Sequence, residues 1–357
     1  MKIIENKQYL DMLRRFCEKL PFWTQLQGKK IVLSGATGML GSVLTDAVML
    51  HNQELTASER CRLVVLGRDE AKARRRFPNW FAYEEFQFLE YDMRSPLGGA
   101  ADGADYVLHA ASTTHPIAYA SEPIDTVLTN VLGAWALLEL SVKAGARFLM
   151  LSSVEVYGQA RGDAERLSEE YCGYIDCNTL RAGYPESKRT AEALCQAYRQ
   201  EKGVDAVIIR LPRCYGPTMQ AGDSKAAAQF IANAVAGQDI TLKSDGSQQY
   251  SFLYAPDAVE AMLWVLLKGA SGQAYNAADI RSDITLLALA ELCARCGQSN
   301  VVYALPDDLE KSGYSTAHDA LLDPGKLHRL GWRARYAIDT GIQETICILR
   351  EMRGDMQ

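Results

Sequence analysis

No stretch of this sequence has the form of a secretory leader: its opening, MKIIENKQYLDMLRRF, is charged throughout and holds no apolar core. No uncharged apolar run reaches the length that crosses a bilayer. There is no basic excess, with 38 Lys and Arg against 44 Asp and Glu and a net charge of −6. That excludes nucleic-acid binding through bulk charge, though not anion binding in a local basic pocket. Metal-site spacing is also missing. Cys293-Ala-Arg-Cys296 is a C-x-x-C pair with no second pair or histidine at zinc distance, so no metal or redox role is expected. The nine cysteines are scattered. The expectation is a cytoplasmic protein with reduced thiols and neither a membrane nor a nucleic-acid partner.

What is present is organised around Ile31–Asp46. Ile31-Val32-Leu33 reads as a buried strand, and Leu40, Val43, Leu44 and Ala47 have the spacing of a helix. Between them lies G-x-x-G-x-x-G at Gly35, Gly38 and Gly41. Glycines let the backbone turn tightly and approach a pyrophosphate, and the free N–H groups of a helix start hold the anion. Gly35, Thr37, Gly38, Met39, Leu40 and Gly41 are therefore expected to bind a dinucleotide, with a plain structural turn as the competing reading.

The 357 residues suffice for a large core. Residues 1–28 read as an N-terminal helical extension, with Tyr9, Leu10, Leu13, Phe16 and Leu20 at helical spacing. Arg62–Leu66, Phe86–Glu90, Asp105–His109 and Arg147–Leu151 read as further strands, and about Ile124–Ala144 as a long helix carrying Asn130. Strands and helices alternating at these lengths predict an α/β fold, a doubly wound parallel sheet. The second strand ends in Gly67-Arg68, where an acid would accept from an adenosine ribose hydroxyl and an arginine suits a 2′-phosphate. That favours NADP over NAD, with a solvated helix face as the alternative for Arg68. Asp92 and Met93 fall near the adenine. Ala110, Ala111 and Ser112 are small enough for backbone to approach a cofactor. His109 is expected to be packed and hydrogen-bonded rather than catalytic.

Strand five runs into Ser152-Ser153-Val154-Glu155-Val156-Tyr157-Gly158, and Tyr184-Pro-Glu-Ser-Lys188 opens a later helix. Tyrosine and lysine at i and i+4 share a helix face. An ammonium there is expected to lower the phenol's pKa, so that a phenolate takes a hydroxyl proton while hydride leaves the same carbon. A serine hydroxyl from the strand end completes the hydrogen bonds to that oxygen.

Taken together, these motifs resemble the extended short-chain dehydrogenases/reductases that modify nucleotide sugars, over about residues 29–350. The resemblance rests on Gly35–Gly41, His109-Ala-Ala111, Asn130-Val-Leu-Gly133, Ser153-x-x-Val-Tyr-Gly158, Tyr184-x-x-x-Lys188 and Arg210-x-x-x-x-Tyr-Gly-Pro217. It implies a Rossmann-type domain over 29–210 and a smaller mixed α/β substrate lobe over 211–357, with late segments returning to the main sheet. It implies Tyr184 as acid/base, Lys188 as its pKa-lowering partner and nicotinamide-ribose ligand, Ser153 as the group orienting the substrate hydroxyl, and Asn130 and Pro212 near the cofactor. It also implies transient oxidation of the sugar at C4 by NAD(P). A homodimer through a four-helix bundle, built by the helices near Asp125–Ala144 and Pro185–Gln200, follows from the same resemblance.

Glu155 decides what comes after that oxidation. Sugar 4,6-dehydratases carry an Asp-Glu pair where this chain has Val154-Glu155, so the C5 base position survives and the acid does not. UDP-glucuronate decarboxylases resemble the chain in Ser153-x-Glu155-Val-Tyr-Gly158, in Arg181 and in Lys188-Arg189. A C5 step is favoured: decarboxylation, elimination or epimerisation. The competing reading makes Glu155 a partner for an arginine or a backbone group. Thr113, Arg181, Arg213 and Tyr250 are expected to meet the substrate. Two of these depart from the family pattern: Tyr250 stands where an arginine often clamps the diphosphate, and Arg213 where R-x-F-N-x-Y-G-P has asparagine. Either a positive charge has moved between the pocket walls, or the ligand is not an ordinary nucleoside diphosphate sugar. Tyr250 could stack on a base or simply pack. An NADPH-dependent net reductase is the alternative enzyme. A non-catalytic cofactor-binding protein would have lost Tyr184 or Lys188, and both are present.

Overall fold

The computed structural model describes residues 2–93, 97, 99–114, 119, 121–220, 222–305 and 319–354. Its main sheet has seven strands: β1 (Lys30–Ser34), β2 (Arg62–Gly67), β3 (Phe86–Glu90), β4 (Tyr106–His109), β5 (Arg147–Ser153), β6 (Ala206–Leu211) and β10 (Ala274–Asn276). Their order is β10-β6-β5-β4-β1-β2-β3, and every neighbouring pair is parallel. This is the expected doubly wound sheet. The chain reverses direction across it between β1 and β4, which opens a crevice at the carboxyl ends of those strands.

Alternate residues of each central strand enter different cores, as a sheet covered on both faces requires. Ile31 and Leu33 of β1 join one cluster with Leu108 and Leu149, while Val32 joins the other with Val107, Phe148 and Met150. The second face is covered by the helices Pro123–Ala144 and Gly183–Lys202, which pack on each other. Pro123–Ala144 is long and apolar enough by composition to cross a membrane. Here it is a core helix: Asn130, Gly133, Leu137 and Leu138 are buried, and Gly133 leaves only the room that the His109 ring fills.

The remaining strands are β7 (Arg213–Tyr215), β8 (Ile240–Leu242), β9 (Gln249–Tyr254), β11 (Asp283–Thr285), β12 (Val301–Tyr303) and β13 (Asp319–Ala320). Strand β9 carries β7 and β13 parallel and β11 antiparallel, and β12 pairs with β8. Within Leu321–Gly331 only Gly325–Arg329 is helical. The Leu322 N–H is taken by Ser251 Oγ at 3.0 Å and the Asp323 N–H by the Leu167 carbonyl at 3.0 Å, which holds that stretch extended. A helix spans Ala226–Ala236.

Residues Lys7–Lys19 form the expected amphipathic helix, capped by the Asn6 side chain on the Tyr9 N–H at 2.8 Å. It docks on the helix Met39–Asn52 that follows the glycine turn. Tyr9 Oη donates to Asp46 Oδ2 at 2.7 Å, Arg76 Nη2 to the same oxygen at 2.5 Å, and Trp80 Nε1 to Asp46 Oδ1 at 2.7 Å. A fully buried carboxylate is thereby satisfied on both oxygens.

Candidate active site

A cavity of about 390 Å³ opens where the carboxyl ends of β1, β4, β5 and β6 meet the 211–354 region. Its floor is the glycine turn. Gly35 has φ +76°, and a Cβ there would lie 2.5 Å from the Ala110 carbonyl carbon; one at Gly41 would lie 2.4 Å from the Gly35 carbonyl oxygen. Only glycine fits this bend, and its bare backbone with the start of the Met39–Asn52 helix is what a pyrophosphate needs. Met39 and Leu40 line the cavity, as do Ala110 and Ser112. The Thr37 carbonyl accepts from Gln220 Nε2 at 2.6 Å and the Met39 carbonyl from Thr218 Oγ1 at 2.9 Å, fixing the turn from outside.

Six further expected residues sit elsewhere. Ala111 and Thr113 are not on the cavity wall, which Ala110, Ser112 and Thr114 line instead. Asn130 is fully buried and donates to Ser187 Oγ at 2.9 Å, so it braces the catalytic helix rather than lining the cavity. Arg68, Asp92 and Met93 line a separate small cavity with Asp125, and Arg68 pairs with Asp125 at 3.3 Å. His109 is packed as expected: its ring meets Ser34 Oγ at 2.9 Å, and burial pulls its pKa down to about 3.

Tyr184 and Lys188 lie in the first turns of Gly183–Lys202, both buried and both facing the cavity. The expected electrostatics are corrected here. Desolvation pushes the Tyr184 phenol up to about 12, opposed by a hydrogen bond with Ser153. The same burial pulls Lys188 down to about 7. Its Nζ lies 5.9 Å from the Tyr184 ring centroid and donates to the Leu151 carbonyl at 2.9 Å. Both groups therefore tend toward their neutral forms.

Ser153 ends β5 and accepts from the Glu155 N–H at 3.3 Å, starting a single 3-10 turn, Val154–Tyr157, that brings Glu155 to the cavity. Arg181, one turn before Tyr184, donates through Nη2 to Glu155 Oε2 at 2.7 Å. Tyr119 stacks on Tyr184 with centroids 4.9 Å apart, and the Arg181 guanidinium lies 4.8 Å above the Tyr119 ring. Tyr119 belongs to no motif or periodic run, so sequence reading missed it. Pro212, Arg213 and Tyr250 complete this wall, with Arg213 stacked 3.4 Å over the Tyr250 ring. Asp223, Lys225, Thr241, Lys243 and Gln248 also line the cavity and were not anticipated.

Comparison with known proteins agrees with this geometry. The model of the NAD dependent epimerase/dehydratase family matches residues 31–278. UDP-glucuronic acid decarboxylase 1 of Xenopus tropicalis is 29% identical over 346 residues, 96% of this chain and 77% of that protein. UDP-glucuronic acid decarboxylase 3 of Arabidopsis thaliana is 30% identical over 262 residues, 73% of this chain and 72% of that protein. The dTDP-glucose 4,6-dehydratase DesIV of Streptomyces venezuelae, solved with NAD bound, shares the fold at TM-score 0.76 and 24% identity, covering 91% of this chain and 98% of its own. So does a UDP-glucuronic acid 4-epimerase of Bacillus cereus, solved with UDP-glucuronic acid and NAD, at TM-score 0.75 and 18% identity, covering 90% and 99%. A glycine turn that excludes Cβ atoms, a helix start behind it, and Ser153 with the buried Tyr184 and Lys188 beside it fit a nicotinamide dinucleotide. The chain belongs to the NAD dependent epimerase/dehydratase family.

Proposed function

We propose that this enzyme converts a nucleotide-linked sugar through transient oxidation at C4, followed by a step at C5 of the resulting ketone. The observation that carries the reading is the gathering of Ser153, Tyr184, Lys188 and Glu155 on one wall of one cavity. Gly35, Gly38 and Gly41 would hold the pyrophosphate and Lys188 the nicotinamide ribose; when bound, the dinucleotide supplies reversible hydride exchange with the sugar carbon. Ser153 orients the C4 hydroxyl. Tyr184 carries the proton at that oxygen, and any gain of charge at Lys188 draws the phenolate into range. Glu155, held by Arg181, would serve the C5 step. The named relatives act on UDP-glucuronic acid, which supports decarboxylation among the C5 steps.

The test is product mass after incubation with a panel of nucleotide sugars. Loss of carbon dioxide, loss of water and no mass change separate the three outcomes. Stoichiometric consumption of NADPH at 340 nm would instead establish the net reductase. Glu155→Gln should slow elimination or C5 epimerisation by roughly 10²–10⁴-fold while transient C4 oxidation persists; unchanged turnover in such a reaction removes Glu155 from the chemistry.

Two finer readings belong here. NADP is preferred over NAD, because Gly67 ends β2 where an acid would repel a 2′-phosphate, and Arg68 is exposed and paired with Asp125 at 3.3 Å. Arg68→Ala should weaken NADP about 10-fold with NAD little changed; equal effects on both count against the preference. The second is a homodimer. Ile124, Trp135 and Val142 are 73%, 48% and 39% exposed, and their spacing of eleven and seven residues puts them on one stripe of Pro123–Ala144. Trp135→Glu should convert a dimer to a monomer in light scattering, and a monomeric parent protein at micromolar concentration sinks the idea.

A further inference from the structure

One end of the cavity holds more guanidinium N–H groups than acceptors. Among the described residues, Arg213 Nη1 is shut off from water with no acceptor, and so are Arg181 Nε and Nη1. Glu155 is the carboxylate beside them, and it takes a single bond from Arg181 at 2.7 Å. Burial weighs against the charge on Arg213 and pulls its pKa below the usual value, with Arg181 adding to the effect. A desolvated cation without a counter-charge is costly, so a structure that keeps one beside its catalytic groups is arranged for an anionic ligand.

The location of Arg213 is informative. It lies on β7, and its register partner on β9 is Phe252, two residues from Tyr250. The family pattern has asparagine at 213 and arginine at 250. Here the cation sits on the neighbouring strand, stacked 3.4 Å over the ring that replaced it. Stacking fixes the plane of the guanidinium while leaving its edge N–H groups to a ligand.

Tied to the nucleotide-sugar reading above, we propose that Arg213 and Arg181 together receive a carboxylate borne on the sugar ring, next to the hydroxyl that Tyr184 serves, so that Arg213 selects sugar acids over neutral sugars. The carboxylate, rather than the diphosphate, follows from the neighbours. Arg181 lies over Tyr119, Tyr119 stacks on Tyr184, and Arg213 feels the charges of Glu155, Arg181 and Tyr119. The anion is therefore held beside the reacting hydroxyl. Two arginines facing Glu155 and a substrate carboxylate also balance in charge.

The experiment measures binding of UDP-glucuronic acid, UDP-glucose and UDP by calorimetry to NAD-loaded protein carrying Tyr184→Phe, which suppresses turnover. UDP-glucuronic acid should bind about 10-fold or more tighter than UDP-glucose. Adding Arg213→Asn should abolish that ratio and leave UDP unchanged within about 2-fold. Arg213→Lys, which keeps the charge and loses the fork, should retain part of the ratio, and it serves if the asparagine variant fails to bind NAD. An equal loss with all three probes moves the anion to the diphosphate and overturns the proposal. So does a parent protein with no preference for the acid, while the nucleotide-sugar reading stands. Failure to bind any of the three overturns that reading itself.

Discussion

Replacing Tyr184 by Phe is expected to cut turnover by roughly 10²–10⁴-fold while dinucleotide binding stays within about 2-fold of the parent. The phenol is the group at the cavity wall able to carry a proton to and from a substrate hydroxyl held by Ser153. Burial pushes its pKa up to about 12, so accepting the substrate's proton calls for a charged Lys188 beside it to favour the phenolate. The ring itself packs against Tyr119 with centroids 4.9 Å apart, and phenylalanine preserves that stack. The loss should therefore fall on kcat, with the fold and the glycine cradle intact. Product formation and dinucleotide titration on the same preparation check it, and parental turnover would refute the assignment.

Gly35→Ala is expected to damage both cofactor binding and stability. The new Cβ would meet the Ala110 carbonyl carbon at 2.5 Å, its oxygen at 2.6 Å and the Ala111 nitrogen at 2.6 Å. These are backbone atoms at the end of β4, pinned in register with β1, and cannot swing aside as a side-chain tip would. The left-handed φ of +76° adds a conformational cost of about 1–2 kcal/mol, and overpacking a further 1–3 kcal/mol. Relief requires β1 and β4 to part where the pyrophosphate must lie, so affinity should fall by roughly 30-fold or more. Urea denaturation and dinucleotide titration measure the two effects; unchanged affinity means that the turn does not carry the phosphate.

Much of this was legible because the informative residues are contiguous. The glycine turn compresses strand, bend and helix into twelve residues from Lys30 to Gly41, and the five strands expected up to Leu151 match β1–β5 to within two residues, while β6 was not anticipated. Tyr184 and Lys188 are separated by one helical turn, so their shared face follows from helix geometry alone. What escaped reading depends on distant pairings. β10 joins β6 across more than sixty residues, and β7 and β13 reach β9 through three-residue and two-residue contacts too short to leave a pattern. Tyr119 enters the site by stacking, which has no sequence period. The Arg181–Glu155 pair spans 26 residues, and it unites two readings of Glu155 that the sequence left as alternatives: the carboxylate is an arginine's partner and also faces the cavity. The phenol's pKa was misjudged in direction because spacing conveys proximity of a charge but not the desolvation that outweighs it.

The return of Ala274–Asn276 to the edge of the main sheet has a consequence for building chimeras. The polypeptide leaves the sheet after Leu211, forms β7, β8 and β9, and comes back to lie beside β6 before departing again into β11. A ligand-recognition region grafted from another member of this fold would thus need two matched seams, one on each side of that edge strand. Recombination at a single crossover near residue 211 would import a foreign edge strand with it, and would exchange the hydrogen-bonding partner of Ile208–Arg210 together with the specificity it was meant to alter.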